Sequence, residues 1–329
     1  MLKKILLGLL ATFLTALVVF WVIGAAVFFE EPAIRQPVQV ARPLITEQHS
    51  SKQIYFGDLH THTSYSMDAA MFGTPMSKGF GYFSPADACD FARFCSAVDF
   101  WSINDHAEGL TLQQWQNTKE SIRQCNAVGT SGIEQQPDTV AFIGWEWSHL
   151  GDTPANHYGH KNVIFRDLEE ELLPRRTISS GDKVYRQMAN LPAPVRGLGL
   201  LVAGMSDLSA YGSYASHMQN LNDTPDCAPS VDTTLLPDNC YEKAETPAEL
   251  FTKLDQWGFD ALVIPHGLAW GSTNVTGSDF EQQLQQHNPK YQRLVEVYSG
   301  HGSSEIYRDL KKGSTVYAET PNCPPAQNG

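Results

Sequence analysis

The stretch YFGDLHTHTSYSMDA, Tyr55–Ala69, puts His60 and His62 one residue apart just after a short apolar run and follows them with Asp68. At the mouth of a β-strand both imidazoles of a His-x-His pair can turn toward one metal ion. Whether they do depends on what the other strands bring to the same end.

From Ile54 onward, short apolar runs alternate with segments that carry helix-start signals, an order that points to βα units and an α/β fold. Strands are expected at Ile54–Asp58, Val98–Ile103, Thr139–Trp145, Asn162–Phe165, Ala261–Ile264 and Arg293–Tyr298. The segments starting at Ser84, Thr111 and Thr246 each offer an N-cap hydroxyl and an acceptor three residues on, two of them with proline at the first helical position. They predict helices over Pro85–Phe94, Leu112–Ala127 and Pro247–Trp257. Between about Ser206 and Lys243 a stretch rich in Ser, Tyr, Asn, Asp and Pro has no clear period. It reads as an insertion, either lying over the site or held as an ordered surface loop.

The ionisable residues collect at the ends of the expected strands. His60 and His62 follow the first, Asp105 and His106 close the second, and Glu146 ends the third. His160 opens the next, His266 closes another, and Glu296 lies within the last. Catalytic groups gather in this way at one mouth of a parallel sheet or barrel. One histidine after a strand is usually a hydrogen-bonded structural residue. So many charged groups at strand ends need a further reason, because neutral residues would satisfy the backbone there at less desolvation cost. Asp105 reads as a carboxylate that orients the His106 imidazole or serves as a ligand itself.

The segments GDLHTHTSYS, NDHAE, GWEWS, GHKNVIF and IPHG resemble successive motifs of the polymerase and histidinol phosphatase (PHP) superfamily of metal-dependent hydrolases. They are similar in particular to a bacterial branch known only as a domain of unknown function, which also carries a segment like Gly302–Glu305. The resemblance runs from about Ile54 to about Arg308. It implies a distorted (β/α) barrel with two or three divalent metals at the strand mouths. Carried over residue by residue, it gives one metal to His60, His62 and Glu146, a second to Glu146, His160 and His266, and a third to Asp68 and His106. His157 is a rival to His160. Two departures stand out: Met67 separates Ser66 from Asp68, and no Asp-x-His pair follows Glu296. The second departure implies a truncated frame, a replacement such as His301, or a degenerate relative.

Residues Ile5–Phe29 carry no charge, follow Lys3 and Lys4, and precede Glu30 and Glu31. Residues 1–29 are therefore expected to be a transmembrane anchor or a long signal segment, with 30–53 a tether and 54–329 an exported domain, incomplete at its C-terminal end if the frame is truncated. Six cysteines suit export: Cys227 and Cys240 would close a modest loop, and Cys89, Cys95 and Cys125 would supply one bridge, leaving Cys323 over. With no Cys-x-x-Cys, a thiolate site is not expected, and His and carboxylate ligands suit Zn²⁺, Mn²⁺ or Fe²⁺. A net charge of −13 without basic blocks argues against a nucleic-acid partner. There is no nucleophile elbow, phosphate loop or dinucleotide fingerprint. The expected function is a membrane-anchored metallohydrolase for a small anionic substrate, foremost a phosphoesterase. It would use a metal-bridging hydroxide, with Glu146 and Asp105 in catalytic roles. The alternative is a non-catalytic metal- or ligand-binding ectodomain.

Overall fold

The computed structural model describes residues 8, 10–19, 54–73, 81–130, 138–181, 192, 194–195, 197–198, 208–267, 281–299 and 302–303. The tether at 30–53, His301 and the segment from 304 to 329 with Cys323 lie outside the described residues. In chain order the elements are β1 (Gly57–Thr61), α1 (Met67–Gly73), α2 (Pro85–Asp90, continued as a π-helix over Phe91–Ser96), β2 (Phe100–Ile103), α3 (Leu112–Thr130), β3 (Val140–His149), β4 (Gly159–Phe165) and β5 (Ile178–Ser179). They continue with α4 (Leu208–Asp223), β6 (Glu242–Lys243), α5 (Pro247–Trp257), β7 (Ala261–His266), α6 (Glu281–Gln285), β8 (Tyr298–Ser299) and β9 (Gly302–Ser303).

Five strands form one mixed sheet in the order β1-β2-β3-β4-β7, curled into a half-barrel. This corrects the distorted (β/α) barrel implied by the resemblance. The first three strands are parallel, joined by α1 and α2 and then by α3. The alternation breaks after β3. Only residues 150–158 connect it to β4, too few for the crossover that a parallel neighbour requires, so β4 returns antiparallel. β7 is antiparallel to β4 in turn. The C-terminal ends of β1, β2, β3 and β7 therefore share one rim with the N-terminal end of β4.

The convex face carries the core. Trp101, Ile103, Ile143, Trp145, Trp147 and Val163 are buried there with Trp115, Ile122 and Cys125 of α3 and Leu250, Phe251 and Leu254 of α5. The Ser84 capping box and the Thr246 cap are both formed. Cys89–Cys125 ties α2 to α3, Cys227–Cys240 closes its short loop, and Cys95 is an exposed thiol. At the end away from the rim, the concave face is floored by Leu59, Phe100, Phe142, Ile164 and Leu262 around a cavity of about 870 Å³.

Two further expectations change. The membrane span over Ile5–Phe29 is overturned, because among the described residues no helix is long and apolar enough to cross a membrane. The membrane anchor assigned to that span falls with it. The segment Arg293–Tyr298 is largely not a ladder strand, yet it runs beside β7: Val263 N–H donates to Tyr291 O (3.0 Å) and Glu296 N–H to Pro265 O (3.1 Å).

Gly144 lies on the central strand between β2 and β4, where an added Cβ would come within 2.5 Å of the Val163 carbonyl oxygen and 3.0 Å of that of Ile103. Both are backbone atoms and cannot step aside without parting the sheet. Gly144→Ala is expected to cost about 1–3 kcal/mol, measured by urea denaturation; an unchanged midpoint would refute the close approach.

Candidate metal centre

Five imidazoles surround one carboxylate at the rim. Glu146 is fully buried near the end of β3. Its Oε2 lies 2.9 Å from His62 Nε2 and 3.3 Å from His60 Nε2. Its Oε1 lies 2.6 Å from His160 Nδ1, 3.3 Å from His266 Nε2 and 3.5 Å from His106 Nδ1. Strand direction explains the meeting. His160 opens β4 but pairs with both Ser148 and His266, because β4 runs against its neighbours.

Three groups of residues bring possible ligand atoms within 4.8 Å of one another: His60–His62–Glu146, Glu146–His160–His266 and His60–His266–Glu296. A tetrahedral ion with bonds of about 2.0–2.1 Å holds its ligands about 3.3 Å apart. The 3.0 Å between His60 Nε2 and His62 Nε2, with the Glu146 contacts at 2.9 and 3.3 Å, lies near that spacing. The chain thus has His/Glu clusters able to hold a metal ion, and Glu146 belongs to two of them.

The outer contacts settle which nitrogen each ring presents. His60 Nδ1 is 2.7 Å from Glu296 Oε2, an obligate acceptor when ionised, so Nδ1–H donates and Nε2 faces the cluster. His62 Nδ1 is 2.8 Å from Ser66 Oγ, whose own proton goes to Asp105 Oδ1 (2.9 Å); the hydroxyl therefore accepts, and His62 also presents Nε2. Two nitrogen lone pairs 3.0 Å apart need a cation between them, a proton or a metal ion.

Of the residues singled out from sequence, His60, His62, Glu146, His160 and His266 come together in the three groups. Asp68, in the first turn of α1, is outside them; its Oδ2 is 3.3 Å from His106 Nε2 and its side chain is 40% exposed. Asp105 does not orient His106. It is fully buried and accepts from the N–H and hydroxyl of Thr63 (2.6 and 2.7 Å) and from the N–H and hydroxyl of Ser66 (3.2 and 2.9 Å). It clamps the loop after β1 and reaches His62 through Ser66. His157 contacts backbone with both nitrogens, Gly151 N–H at 3.4 Å and Gly267 O at 3.1 Å. Lys161 is buried on the convex face, over the Trp147 ring, donating to Tyr158 O at 2.6 Å. Glu296 and Ser148 were not assigned a place in the site from sequence. Glu296 had a signal, a charge inside an apolar run, whereas Ser148 had none beyond its position two residues after Glu146.

A family model described as a protein of unknown function, DUF3604, matches residues 49–140. That span is under half of the chain; it holds His60, His62, Asp68 and His106 and stops before Glu146, His160 and His266. No curated protein and no solved structure matches.

Burial alone would strip the proton from His60, but the carboxylates of Glu146 and Glu296 outweigh it and hold the imidazole at about 9. Burial is likewise outweighed at His106, held at about 10 by the Glu146 charge and Asp68. His266 goes the other way, down to about 4 by burial. Glu146 stays ionised well below the usual range, since the surrounding imidazoles, His106 foremost, overcome its desolvation. Raised histidine values mean that metal-free protein is stabilised by protonation below pH 6.5 and loses that contribution as pH rises through 9 to 10. A bound metal would displace those protons. With chelator present, the melting temperature is therefore expected to fall between pH 6.5 and 10, and added Zn²⁺ or Mn²⁺ to remove most of the fall. Scanning calorimetry across that range decides it, and coincident profiles with and without metal would count against the centre.

Proposed function

We propose that this chain is a metal-dependent hydrolase of small anionic esters, foremost a phosphoesterase, using two or three divalent ions of the Zn, Mn or Fe type. The observation that carries the reading is the fully buried Glu146 carboxylate shared among five imidazoles. Hard and borderline divalent cations favour such a set of nitrogen and oxygen donors. His60, His62, Glu146, His160 and His266 would hold the ions, with Asp68 and His106 beside them. Bound there, divalent ions supply Lewis acidity toward an anionic ester.

The remaining work belongs to the protein. Glu146 keeps the imidazoles converged by offering each oxygen to several rings, and Asp105 holds the loop that carries His62. The hydrogen-bonded Nδ1 atoms keep His60 and His62 from turning away. Resemblance to the PHP superfamily in the motifs around His60, His106, Glu146, His160 and His266 supports phosphoryl chemistry, by analogy alone. The two disulfides support an oxidising compartment.

The test is hydrolysis of 4-nitrophenyl phosphate and its diester by protein loaded with Mn²⁺ or Zn²⁺. Turnover is expected to drop in His60→Ala and Glu146→Gln by at least the roughly 10–100-fold that loss of an outer contact costs. Metal uptake without turnover on any ester would favour the binding-domain alternative. Turnover equal in wild type and both variants would remove the site.

A further inference from the structure

One fully buried carboxylate belongs to none of the ligand groups. Glu108 follows His106 by two residues and is inaccessible to solvent. Its Oε1 accepts from Ser180 N–H (2.7 Å) and Ser148 N–H (3.1 Å), while its enclosed Oε2 meets no hydrogen-bond partner among the described residues. The place of these bonds in the sheet gives them meaning. β2 ends at Ile103, but the chain beyond it keeps pairing with β3: Glu146 N–H donates to Asp105 O (3.0 Å) and Ala107 N–H to Glu146 O (2.8 Å). The next rung would take Ser148 N–H to a backbone carbonyl. At that point the chain turns away through Ala107–Gly109, and the Glu108 carboxylate stands in for the missing carbonyl. Ser180 completes the hold on the other side of the same residue, its hydroxyl donating to Ser148 O at 2.6 Å.

Ser148 itself touches two cluster members. Its Oγ is 3.0 Å from Glu146 Oε1 and 2.5 Å from His106 Nδ1. A hydroxyl has one proton. Given to the ionised carboxylate, it leaves the oxygen to accept from His106 Nδ1–H, which holds the ring with Nε2 3.3 Å from Asp68 Oδ2.

We propose that Glu108 is a positioning residue. By replacing a rung of the β2–β3 ladder it fixes Ser148, and through the Ser148 hydroxyl it sets the orientation of Glu146 and of the His106 ring. The inference rests on the reading of this cluster as a metal centre.

Co²⁺ alone, added to the metal-free full chain, is the probe, read by its visible ligand-field spectrum and by competition with a chelator. Melting temperature is followed in parallel. In Glu108→Gln the amide oxygen still accepts from Ser148 and Ser180, but the amide nitrogen enters the enclosure around Oε2. That variant is expected to melt lower while keeping the wild-type spectrum and an affinity within about twofold. Glu108→Ala and Ser148→Ala are expected to change the spectrum and to weaken Co²⁺ about 10–100-fold. Rescue by Gln separates positioning from bulk stability, which all the Glu108 variants perturb. Wild-type affinity and spectrum in both alanine variants would overturn the inference alone; loss of the spectrum in Glu108→Gln would also overturn it. If Glu108→Ala fails to fold, Glu108→Met, which keeps the bulk but offers no oxygen acceptor to Ser148 and Ser180, decides in the same terms. Wild-type protein that takes up no Co²⁺ would sink the metal reading and this inference together.

Discussion

Convergence of five imidazoles on the Glu146 carboxylate is the constraint around which the described structure is arranged. A buried carboxylate is costly unless cations or donors surround it, and buried imidazoles resist protonation unless a carboxylate is near. Each side therefore makes the other tolerable. The arrangement also needs a rigid platform, because ligand atoms about 3 Å apart leave no room for a strand to drift. β3 provides it as the central strand, paired with β2 on one side and β4 on the other, and backed by Trp145 and Trp147 in the core.

Around this platform the loops have a division of labour. The segment after β1 carries two of the rings and is stitched by Asp105 through Thr63 and Ser66. The segment after β2 carries His106 and is stitched to β3 by backbone bonds and by Glu108. Beyond β7, the chain that returns along its edge carries Glu296 to His60. Acidic side chains thus appear in two capacities: Glu146 faces the rings directly, and Asp105, Glu108 and Glu296 hold backbone, hydroxyls or outer nitrogens.

Much of this was legible in the sequence because the relevant residues end apolar runs. His60, His62, Glu146 and His266 come at the ends of the apolar runs of β1, β3 and β7, and the Ser84 and Thr246 caps announce their helices. The distorted (β/α) barrel was not legible as wrong, since it came from resemblance and took no account of the nine residues between β3 and β4, which impose an antiparallel return. Helix α4 was missed within the insertion at 206–243. Its buried positions Tyr211, Ala215, Met218 and Leu221 have helical spacing, but Ser, Gly and Asn between them dilute the period. Asp105 was misread because sequence adjacency to His106 suggested a contact, whereas neighbours on an extended chain face opposite ways. The apolar run at 5–29 has the composition of a membrane span, yet no helix among the described residues is long and apolar enough to be one.

The turn at Ala107–Gly109 is gripped from outside the sheet as well. His217 on α4 contacts Gly109 O at 2.6 Å, and the Tyr241 hydroxyl donates to Glu108 O at 3.1 Å. Met218, Leu221 and Tyr241 pack with Met67, next to Asp68. The turn that follows His106 is thereby held by that lobe as well as by the sheet. Packing of the 208–243 segment and placement of the His106 ring are thus one structural problem, solved at a single turn.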